Sequence, residues 1–282
     1  MQKGSLANAE LQRIKHLEKH GPPGEAPKTW YDYPHYYDLG FKDDTLREAK
    51  FFEKVFAKYV PRPVKRVLEP GCGSGRLIVE MAARGYRMTG LDLNETALDF
   101  CRAKLEKKSL NAHLVKGDMT RFEFKHKFDA AINTINTFRH LLTEEDAILH
   151  LRSVANSLRT GGVFVLGLHL LPKDADFYGT ERWSAQQGKT RVSYNLVVID
   201  SKQKERIERL KMTMTIRVGV QKPIKVHNEL VLRLYNHRQL KALFAKVPEL
   251  QLREVFDFWY LIDEPQKFDN KLADAVFILQ KT

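Results

Sequence analysis

The stretch Val67-Leu68-Glu69-Pro70-Gly71-Cys72-Gly73-Ser74-Gly75-Arg76-Leu77 decides the fold of this chain. Two apolar residues lead into an acidic one, glycines then occupy every second position, and an amphipathic segment follows. This order predicts a buried strand, a tight turn and the first turn of a helix. Glycines in such a turn let backbone N–H groups approach a ligand closely at a helix N-terminus.

The length and composition are those of a globular protein. The chain has 282 residues, of which 43% are hydrophobic, enough for one large α/β domain or a domain with an inserted subdomain. No apolar run reaches the ~18 residues that span a membrane, and residues 1–5 show no apolar leader segment. The two cysteines, Cys72 and Cys101, cannot form a metal cluster by themselves and predict a reduced, cytoplasmic protein without a metal site. Cys72 has no adjacent base, which favours a small turn residue over a nucleophile.

The charge is strongly basic, with a formal net charge of +12 and a pI of about 9.5. Such a balance is typical of nucleic-acid binding or of well-solvated surfaces. The basic residues are spread along the chain, with local density at 102–108 and 202–211. Solvated surface is the favoured interpretation, and an RNA partner stays open as the alternative.

From residue 65 onward the sequence alternates between strand-like and helix-like segments. The predicted strands are 66–69, 87–93, 112–116, 128–134 and 163–170, and the predicted helices are 75–84, 95–108 and one that a capping box opens at Thr143 and Gly161-Gly162 ends. Five strands with intervening helices predict a doubly wound, mostly parallel Rossmann-like sheet with helices on both faces. With the strands predicted at 250–260 and 274–280, this sheet has seven strands.

Two segments lie outside this alternation. Residues 1–28 are polar and are predicted to be a flexible N-terminal arm, followed by an aromatic cluster at 30–38 and a helix that Asp44 or Thr45 caps. After the fifth strand, residues 191–199, 206–220 and 224–235 predict three antiparallel strands. The predicted domains are therefore 29–172 with 234–282, and an inserted lid or dimerisation subdomain at 173–233.

The spacing of the glycines separates two kinds of nucleotide site. Dinucleotide-binding folds use Gly-x-Gly-x-x-Gly, whereas Gly71, Gly73 and Gly75 are followed by Arg76 at the sixth position. With Glu69 before the first glycine, the turn resembles motif I of class I S-adenosylmethionine-dependent methyltransferases. The resemblance implies that the methionyl part and ribose of S-adenosyl-L-methionine lie against this backbone.

Three further strand ends extend the resemblance. Asp92 and Leu93 end the second predicted strand, where the family places a carboxylate on the ribose hydroxyls. Gly117-Asp118-Met119 follow the third, where the family binds adenine, and Asn133 lies at the end of the fourth, which faces the methyl group. The resemblance implies a cofactor site formed by Tyr37, Glu69, Gly71, Cys72, Gly73, Gly75, Asp92, Leu93, Gly117, Asp118, Met119 and Asn133.

The acceptor is less specified than the cofactor. Asn133-Thr134-Ile135-Asn136 is not the Asn/Asp-Pro-Pro-aromatic tetrad of DNA amino-methyltransferases, and the cysteine pair of RNA cytosine-5 enzymes is absent. The segment Tyr36-Tyr37-Asp38, the pair His140-Leu141 and the insertion resemble small-molecule N-methyltransferases, especially those that act on nucleotide-linked amino sugars, and more loosely glycine N-methyltransferases. This resemblance implies that His140 lies near the acceptor amine and Tyr37 over the methyl group, as catalytic residues.

Other interpretations remain open at this stage. His140 can be a helix-entry residue and Tyr37 a core aromatic, Arg139 can bind an acidic substrate group, and Arg182-Trp183 and Trp259-Tyr260 are weaker pocket candidates. The predicted reaction is in-line methyl transfer to a nitrogen or oxygen of a small molecule. The protein is predicted to lack a membrane segment and to be able to form a homodimer. The alternatives are an RNA or ribosome-associated methyltransferase and a non-catalytic binding protein of the same fold.

Overall fold

A computed structural model describes residues 29–175 and 178–282 of the chain. The predicted arm at 1–28 lies outside the described residues. The strands are β1 Arg66–Pro70, β2 Arg87–Asp92, β3 Ala112–Lys116, β4 Phe128–Asn133, β5 Leu158–His169, β6 Thr180–Gln187, β7 Thr190–Lys202, β8 Ile207–Val218, β9 Ile224–Arg233, β10 Leu250–Phe256 and β11 Asp274–Lys281. The helices are α1 Pro34–Gly40, α2 Lys42–Tyr59, α3 Arg76–Ala83, α4 Glu95–Lys107, α5 Glu144–Ser157 and α6 His237–Ala245, and short 3₁₀ turns lie at Trp30–Asp32 and Thr137–His140.

A seven-stranded sheet forms the body of the chain, in the order β10-β11-β5-β4-β1-β2-β3. Strands β1 to β5 run parallel, and β11 is antiparallel to both β5 and β10. The predicted fold class is confirmed. Because β1 lies between β2 and β4, the chain changes direction across the sheet at β1, and ligands of such sheets bind at that switch point.

The sheet is buried on both faces, as the continuous apolar strands require. Phe51, Phe52 and Val55 of α2 pack with α3 and α4 on one face, while Leu151 of α5 and Leu240 of α6 pack on the other. All five of these side chains are 0–1% exposed. Burial of each contributes about 1.5–3 kcal/mol relative to exposure, which fixes the strand ends that carry the site.

A separate antiparallel sheet follows β5, with the strand order β6-β7-β8-β9. Three strands were predicted here, and the sequence prediction missed β6, because Thr180–Gln187 is an exposed, mostly polar edge strand without the expected alternation. The alternation in β8 is confirmed, since Leu210, Met212, Met214 and Ile216 are all buried. Their face packs against Trp30, Tyr36 and Leu39, so the N-terminal aromatic cluster covers the inserted sheet.

Two helix boundaries differ from the predictions. Helix α2 begins at Lys42, so Asp44 and Thr45 lie in its first turn, and the Thr45 hydroxyl donates to the carbonyl of Phe41. Helix α5 starts with the Thr143 cap as predicted but ends at Ser157, before the glycine pair. Gly161-Gly162 instead form an irregular part of β5, where the register against β4 shifts. Among helices of the described ranges, none has the length and apolarity needed to cross a membrane.

Candidate active site

The glycine turn is held open by hydrogen bonds to the end of β2. Gly71, Gly73 and Gly75 have φ values of +71°, +52° and +71°, a left-handed conformation that favours glycine. The N–H groups of Gly71 and Cys72 donate to the carbonyl of Leu91, at 2.6 and 3.0 Å, and the Gly73 N–H donates to the Asp92 carboxylate at 2.6 Å. The turn and the β2 carboxylate therefore form one rigid unit.

An inner cavity of about 350 Å³ opens above this turn. Its lining contains the following predicted site residues: Tyr37, Glu69, Gly71, Cys72, Gly73, Asp92, Leu93, Gly117, Met119, Asn133 and His140. Residues from the ends of four neighbouring strands thus meet at one cavity, as the sequence predicted. The cofactor roles assigned to them remain predictions.

Two predicted cofactor residues do not line the cavity. Gly75 lies behind the turn, where an added Cβ would overlap the sulfur of Cys101, so its small size serves the packing of α3 against α4. Asp118 is exposed, and its carboxylate accepts a hydrogen bond from the Thr120 N–H at 2.8 Å. The contacts of Asp118 are those of an aspartate that stabilises its own turn.

Two buried acceptor atoms at the floor of the cavity have no partner among the described residues. One is Oε2 of Glu69, and the other is Oδ1 of Asn133, whose Nδ2 donates to the carbonyl of Pro70 at 2.8 Å. Burial, with the nearby charges of Glu48 and Asp92 adding to it against the opposing charge of Arg76, raises the pKa of Glu69 to about 8. A ligand with hydrogen-bond donors, such as the ammonium group of S-adenosyl-L-methionine, fits these orphaned acceptors.

The thiol of Cys72 is inert in this setting. Cys72 is 5% exposed, and burial raises the pKa of its thiol well above the ordinary value, with Glu69 and Asp92 adding to that effect. The thiolate is the nucleophilic form of cysteine. The structure therefore agrees with a small turn residue that lines the cavity.

Arg76, which replaces the third glycine of a dinucleotide motif, forms a buried ion pair with Glu48 of α2. Its guanidinium also donates to the Thr45 hydroxyl at 3.1 Å, and the Tyr260 hydroxyl donates to Glu48 at 3.2 Å. Glu48 is 0% exposed, so this charge pair fixes α2 beside the glycine turn. The sequence analysis did not predict this network. Its one sign in the sequence is the charged residue Arg76 directly after the glycine turn.

His140 projects from the 3₁₀ turn after β4 and meets an aromatic side chain from the N-terminus. Its Nε2 lies 3.0 Å from the Tyr31 hydroxyl, and the rings of Tyr31 and Tyr37 lie 5.7 Å apart. Removal from bulk water and the neighbouring charge of Arg139 lower the pKa of His140, although the ring itself remains partly exposed to the cavity. Burial likewise raises the pKa of Tyr31. The imidazole and the phenol thus face each other, and the lowered pKa of His140 favours its neutral form.

A second, outer cavity of about 970 Å³ lies beyond this pair. Four residues line both cavities: Tyr31, Tyr37, Ile135 and His140. We call these four residues the aperture. Ile135 has a φ of +50°, which is rare for a β-branched residue and marks a strained backbone at the junction.

The walls of the outer cavity come from segments far apart in the chain. The inner face of the inserted sheet supplies Leu196, Leu210, Met212 and Leu232. Most of the other wall residues come from α1 and the start of α2, from the turns after β4, β5 and β10, from β6 and from the start of β11. Of the weaker sequence candidates, Trp183 and Tyr260 line this cavity, whereas Arg182 and Trp259 do not. Trp259 is 69% exposed.

Arg139 is not available to a substrate anion. Its side chain is buried, its Nε donates to the carbonyl of Arg233 in β9 at 2.9 Å, and its guanidinium forms an ion pair with Glu208 of β8. Arg139 therefore ties the turn after β4 to the inserted sheet. This arrangement contradicts the interpretation of Arg139 as a binding group for an acidic substrate.

Comparisons with known proteins agree with this architecture. A family profile described as "Methyltransferase domain" matches residues 67–162. A fatty-acid O-methyltransferase of Mycolicibacterium smegmatis is 40% identical over 105 residues, which are 36% of each chain. A dTDP-3-amino-3,4,6-trideoxy-alpha-D-glucopyranose N,N-dimethyltransferase of Streptomyces venezuelae is 28% identical over 138 residues, 48% of this chain and 56% of that one. The chain spans about half the length of the curated relatives it matches.

A solved structure extends the similarity over nearly the whole chain. This is the S-adenosylmethionine-bound amino pentose methyltransferase CalS10 of Micromonospora echinaspora, with a TM-score of 0.67 at 18% identity, covering 98% of this chain and 97% of that one. Together, the sheet order, the glycine turn and the family profile over residues 67–162 show that the chain contains a methyltransferase domain of the class I fold.

Proposed function

We propose that this chain transfers the methyl group of S-adenosyl-L-methionine to a nitrogen atom of a small-molecule acceptor by in-line displacement. One observation carries the proposal: the cavity above the glycine turn and a larger outer cavity meet only through shared lining at the aperture, Tyr31, Tyr37, Ile135 and His140. Methyl transfer between two bound ligands requires such an arrangement, because the methyl donor and the acceptor must align within near-attack distance.

The inner cavity is the proposed cofactor site. Glu69 and Asn133 carry the orphaned acceptors that suit the methionyl ammonium, and Asp92, whose two oxygens already accept from Gly73 and Asn94, keeps lone pairs for the ribose hydroxyls. Gly117 and Met119 are left to flank the adenine. The bound cofactor supplies a methyl group on an electrophilic sulfonium.

The aperture residues are proposed to orient the acceptor. An amine attacks through its lone pair, so it must be unprotonated at the moment of attack. Neutral His140 can accept a hydrogen bond from the acceptor N–H in exchange for its bond to Tyr31, and the Tyr37 ring packs beside Tyr31 and limits access of water. Each residue thereby positions the nitrogen without carrying a charge into the site.

Nitrogen is favoured over oxygen by two of the similar proteins, the Streptomyces venezuelae N,N-dimethyltransferase and the amino pentose methyltransferase, whose structure covers 98% of this chain. The inserted unit at 173–233 is proposed to act as the lid of the acceptor cavity, since its inner face forms part of the wall. A dimer through this unit and a cytoplasmic location remain predictions from the sequence.

The test uses the purified full chain. S-adenosyl-L-methionine binding is measured by calorimetry, and formation of S-adenosylhomocysteine is followed with a panel of primary amines and of their alcohol counterparts. We expect cofactor binding, lost in Asp92→Ala and retained in Asp118→Ala, and turnover with amines but not with alcohols. Turnover confined to alcohols would exclude nitrogen as the acceptor atom.

His140 is tested in the same assay. His140→Ala should lower kcat at least about tenfold while cofactor affinity stays within about twofold, because the imidazole is proposed to contact the acceptor. Unchanged turnover in this variant would remove His140 from the mechanism. Cofactor binding without turnover on any acceptor would instead favour a non-catalytic binding protein.

A further inference from the structure

The outer cavity has a charge opposite to that of the protein around it. Five acidic side chains line it, namely Asp43, Asp44, Glu181, Glu208 and Asp274, whereas the basic side chains of its described lining are Arg139, His140 and His169. The whole chain, by contrast, has a net charge of +12. The excess of acidic side chains is therefore local to the lining of this cavity.

The basic side chains of the lining are already engaged. Arg139 is paired with Glu208, the Nδ1 of His169 lies 2.6 Å from Asp274, and the Nε2 of His140 lies 3.0 Å from the Tyr31 hydroxyl. Burial and the neighbouring charge of Arg139 lower the pKa of His140. Among the residues that the structure describes in this wall, none is a free cation that could bind a phosphate or carboxylate.

Two of the carboxylates, in contrast, are unpaired. Asp43 at the start of α2 and Glu181 at the start of β6 form neither an ion pair nor a hydrogen bond to any other described residue, and Asp44 reaches only the exposed Arg47 at 3.6 Å. Their charges are therefore open to a ligand in the cavity. In water each carboxylate 4 Å from a cation contributes about 1 kcal/mol.

The remaining wall is aromatic and aliphatic. The rings of Trp30, Tyr37, Phe41 and Trp183 also line the cavity, with the centroids of Tyr37 and Phe41 4.7 Å apart and those of Phe41 and Trp183 5.9 Å apart. Ring faces attract cations, and aliphatic side chains of the inserted sheet complete an apolar surface. Carboxylates beside aromatic rings favour an organic cation with an apolar body.

Building on the proposed function, we propose that the acceptor is an amine that enters the outer cavity as a cation with an apolar body and without a phosphate or carboxylate group. The unpaired carboxylates attract the ammonium form, and the aromatic wall holds the body against the aperture. The bound ammonium then releases a proton to solvent, and the neutral nitrogen that results attacks the methyl group. A nucleotide-linked acceptor would place a diphosphate beside these carboxylates with no free cation to neutralise it.

The test compares four probes on the full chain saturated with S-adenosylhomocysteine, by calorimetry. They are 2-(1-naphthyl)ethylamine, the alcohol of the same skeleton, 3-(1-naphthyl)propionate and thymidine diphosphate. We expect the amine to bind at least about fivefold more tightly than the alcohol, the carboxylate to bind more weakly than the alcohol, and the diphosphate not to bind.

Charge-removing variants locate the effect. Asp43→Asn combined with Glu181→Gln should weaken the amine at least about fivefold and leave the alcohol within about twofold, whereas Glu123→Gln, an exposed and unpaired glutamate outside the cavity, should change neither. Both cavity carboxylates are exposed, so their loss leaves the fold intact.

Several outcomes would overturn the proposal: a carboxylate or diphosphate that binds as tightly as the amine, an amine that binds no better than the alcohol, or an amine affinity that the double variant leaves unchanged. Failure of the amine to bind while S-adenosylhomocysteine still binds would also overturn it. Failure of S-adenosylhomocysteine itself to bind would instead count against the proposed function, so the two can be told apart.

Discussion

Replacing Glu69 with glutamine should change how the stability of the ligand-free protein depends on pH. Glu69 is the second-last residue of β1, is 6% exposed, and has one carboxylate oxygen without a partner among the described residues. Burial raises its pKa from 4.5 to about 8. Glutamine has nearly the same shape but no proton to lose, so Glu69→Gln isolates the cost of ionising this side chain.

The magnitude follows from the two pKa values. Below about pH 4.5 the carboxyl group is protonated in both the folded and the unfolded chain, and it carries no penalty. Between about 4.5 and about 8 the folded chain retains a proton that the unfolded chain has released, so the free energy of unfolding falls by about 1.4 kcal/mol per pH unit. From pH 5 to pH 8 the loss amounts to about 3.5 kcal/mol, and above about pH 8 it grows no further.

Urea unfolding at pH 5, 6, 7 and 8, followed by tryptophan fluorescence, measures this loss. Other titrating groups affect both proteins alike, so the informative quantity is the difference between Glu69→Gln and the unchanged chain. That difference should increase with pH in favour of the variant, by about 3.5 kcal/mol over the range. Glu123→Gln, the surface control, shows what removal of one exposed carboxylate does. A Glu69→Gln difference that stays constant from pH 5 to pH 8 would refute the reasoning.

Three other predictions concern the same region. At pH 7 the heat of S-adenosyl-L-methionine binding should vary with the ionisation enthalpy of the buffer, because a ligand cation beside Glu69 favours its ionised form and releases a proton, and Glu69→Gln should abolish that variation. Gly75→Ala should lower the free energy of unfolding by at least about 2 kcal/mol, because the new Cβ overlaps the sulfur of Cys101 and the position has a left-handed backbone conformation. Gly73→Ala has open space around its Cβ, so it should lower the free energy of unfolding by only about 1 kcal/mol but weaken cofactor binding. Urea unfolding measures the first effect and calorimetry the second. Arg139→Ala should destabilise the fold by about 1–3 kcal/mol in urea unfolding, because it leaves the half-buried Glu208 carboxylate without its partner. The double variant Arg139→Met/Glu208→Leu should recover most of the loss, an outcome that a substrate-binding role for Arg139 would not produce.

The sequence predicted the cofactor half of the molecule well because its signals are local. Each parallel strand is a short apolar run that ends in a turn, and every residue that the strand ends bring to the inner cavity follows such a run. The spacing of Gly71, Gly73 and Gly75 by itself excludes the Gly-x-Gly-x-x-Gly turn of dinucleotide-binding folds. Asp118 shows the limit of this approach, since its position after β3 matched the motif while its carboxylate serves its own turn.

The outer cavity could not be predicted in the same way because its walls come together only in three dimensions. Tyr31 and His140 are 109 residues apart and nothing in the sequence pairs them. Strand β6 lacks alternation because it is an edge strand with both faces largely exposed. The ion pair between Arg139 and Glu208 joins segments 69 residues apart, and a lone arginine next to a candidate catalytic histidine gives no sign that its charge is already used.

The strict alternation of β8 has a consequence for how the acceptor range of this chain can change. Every second residue of the strand faces the outer cavity or the core beside it, and the residues between them are more exposed. Point substitutions at Leu210 or Met212 therefore reshape the cavity one side chain at a time. A one-residue deletion ahead of Leu210 would instead reverse the two faces and turn Lys211 and Thr213 inward. Selection for new acceptors should accordingly accumulate substitutions in this strand and purge insertions and deletions.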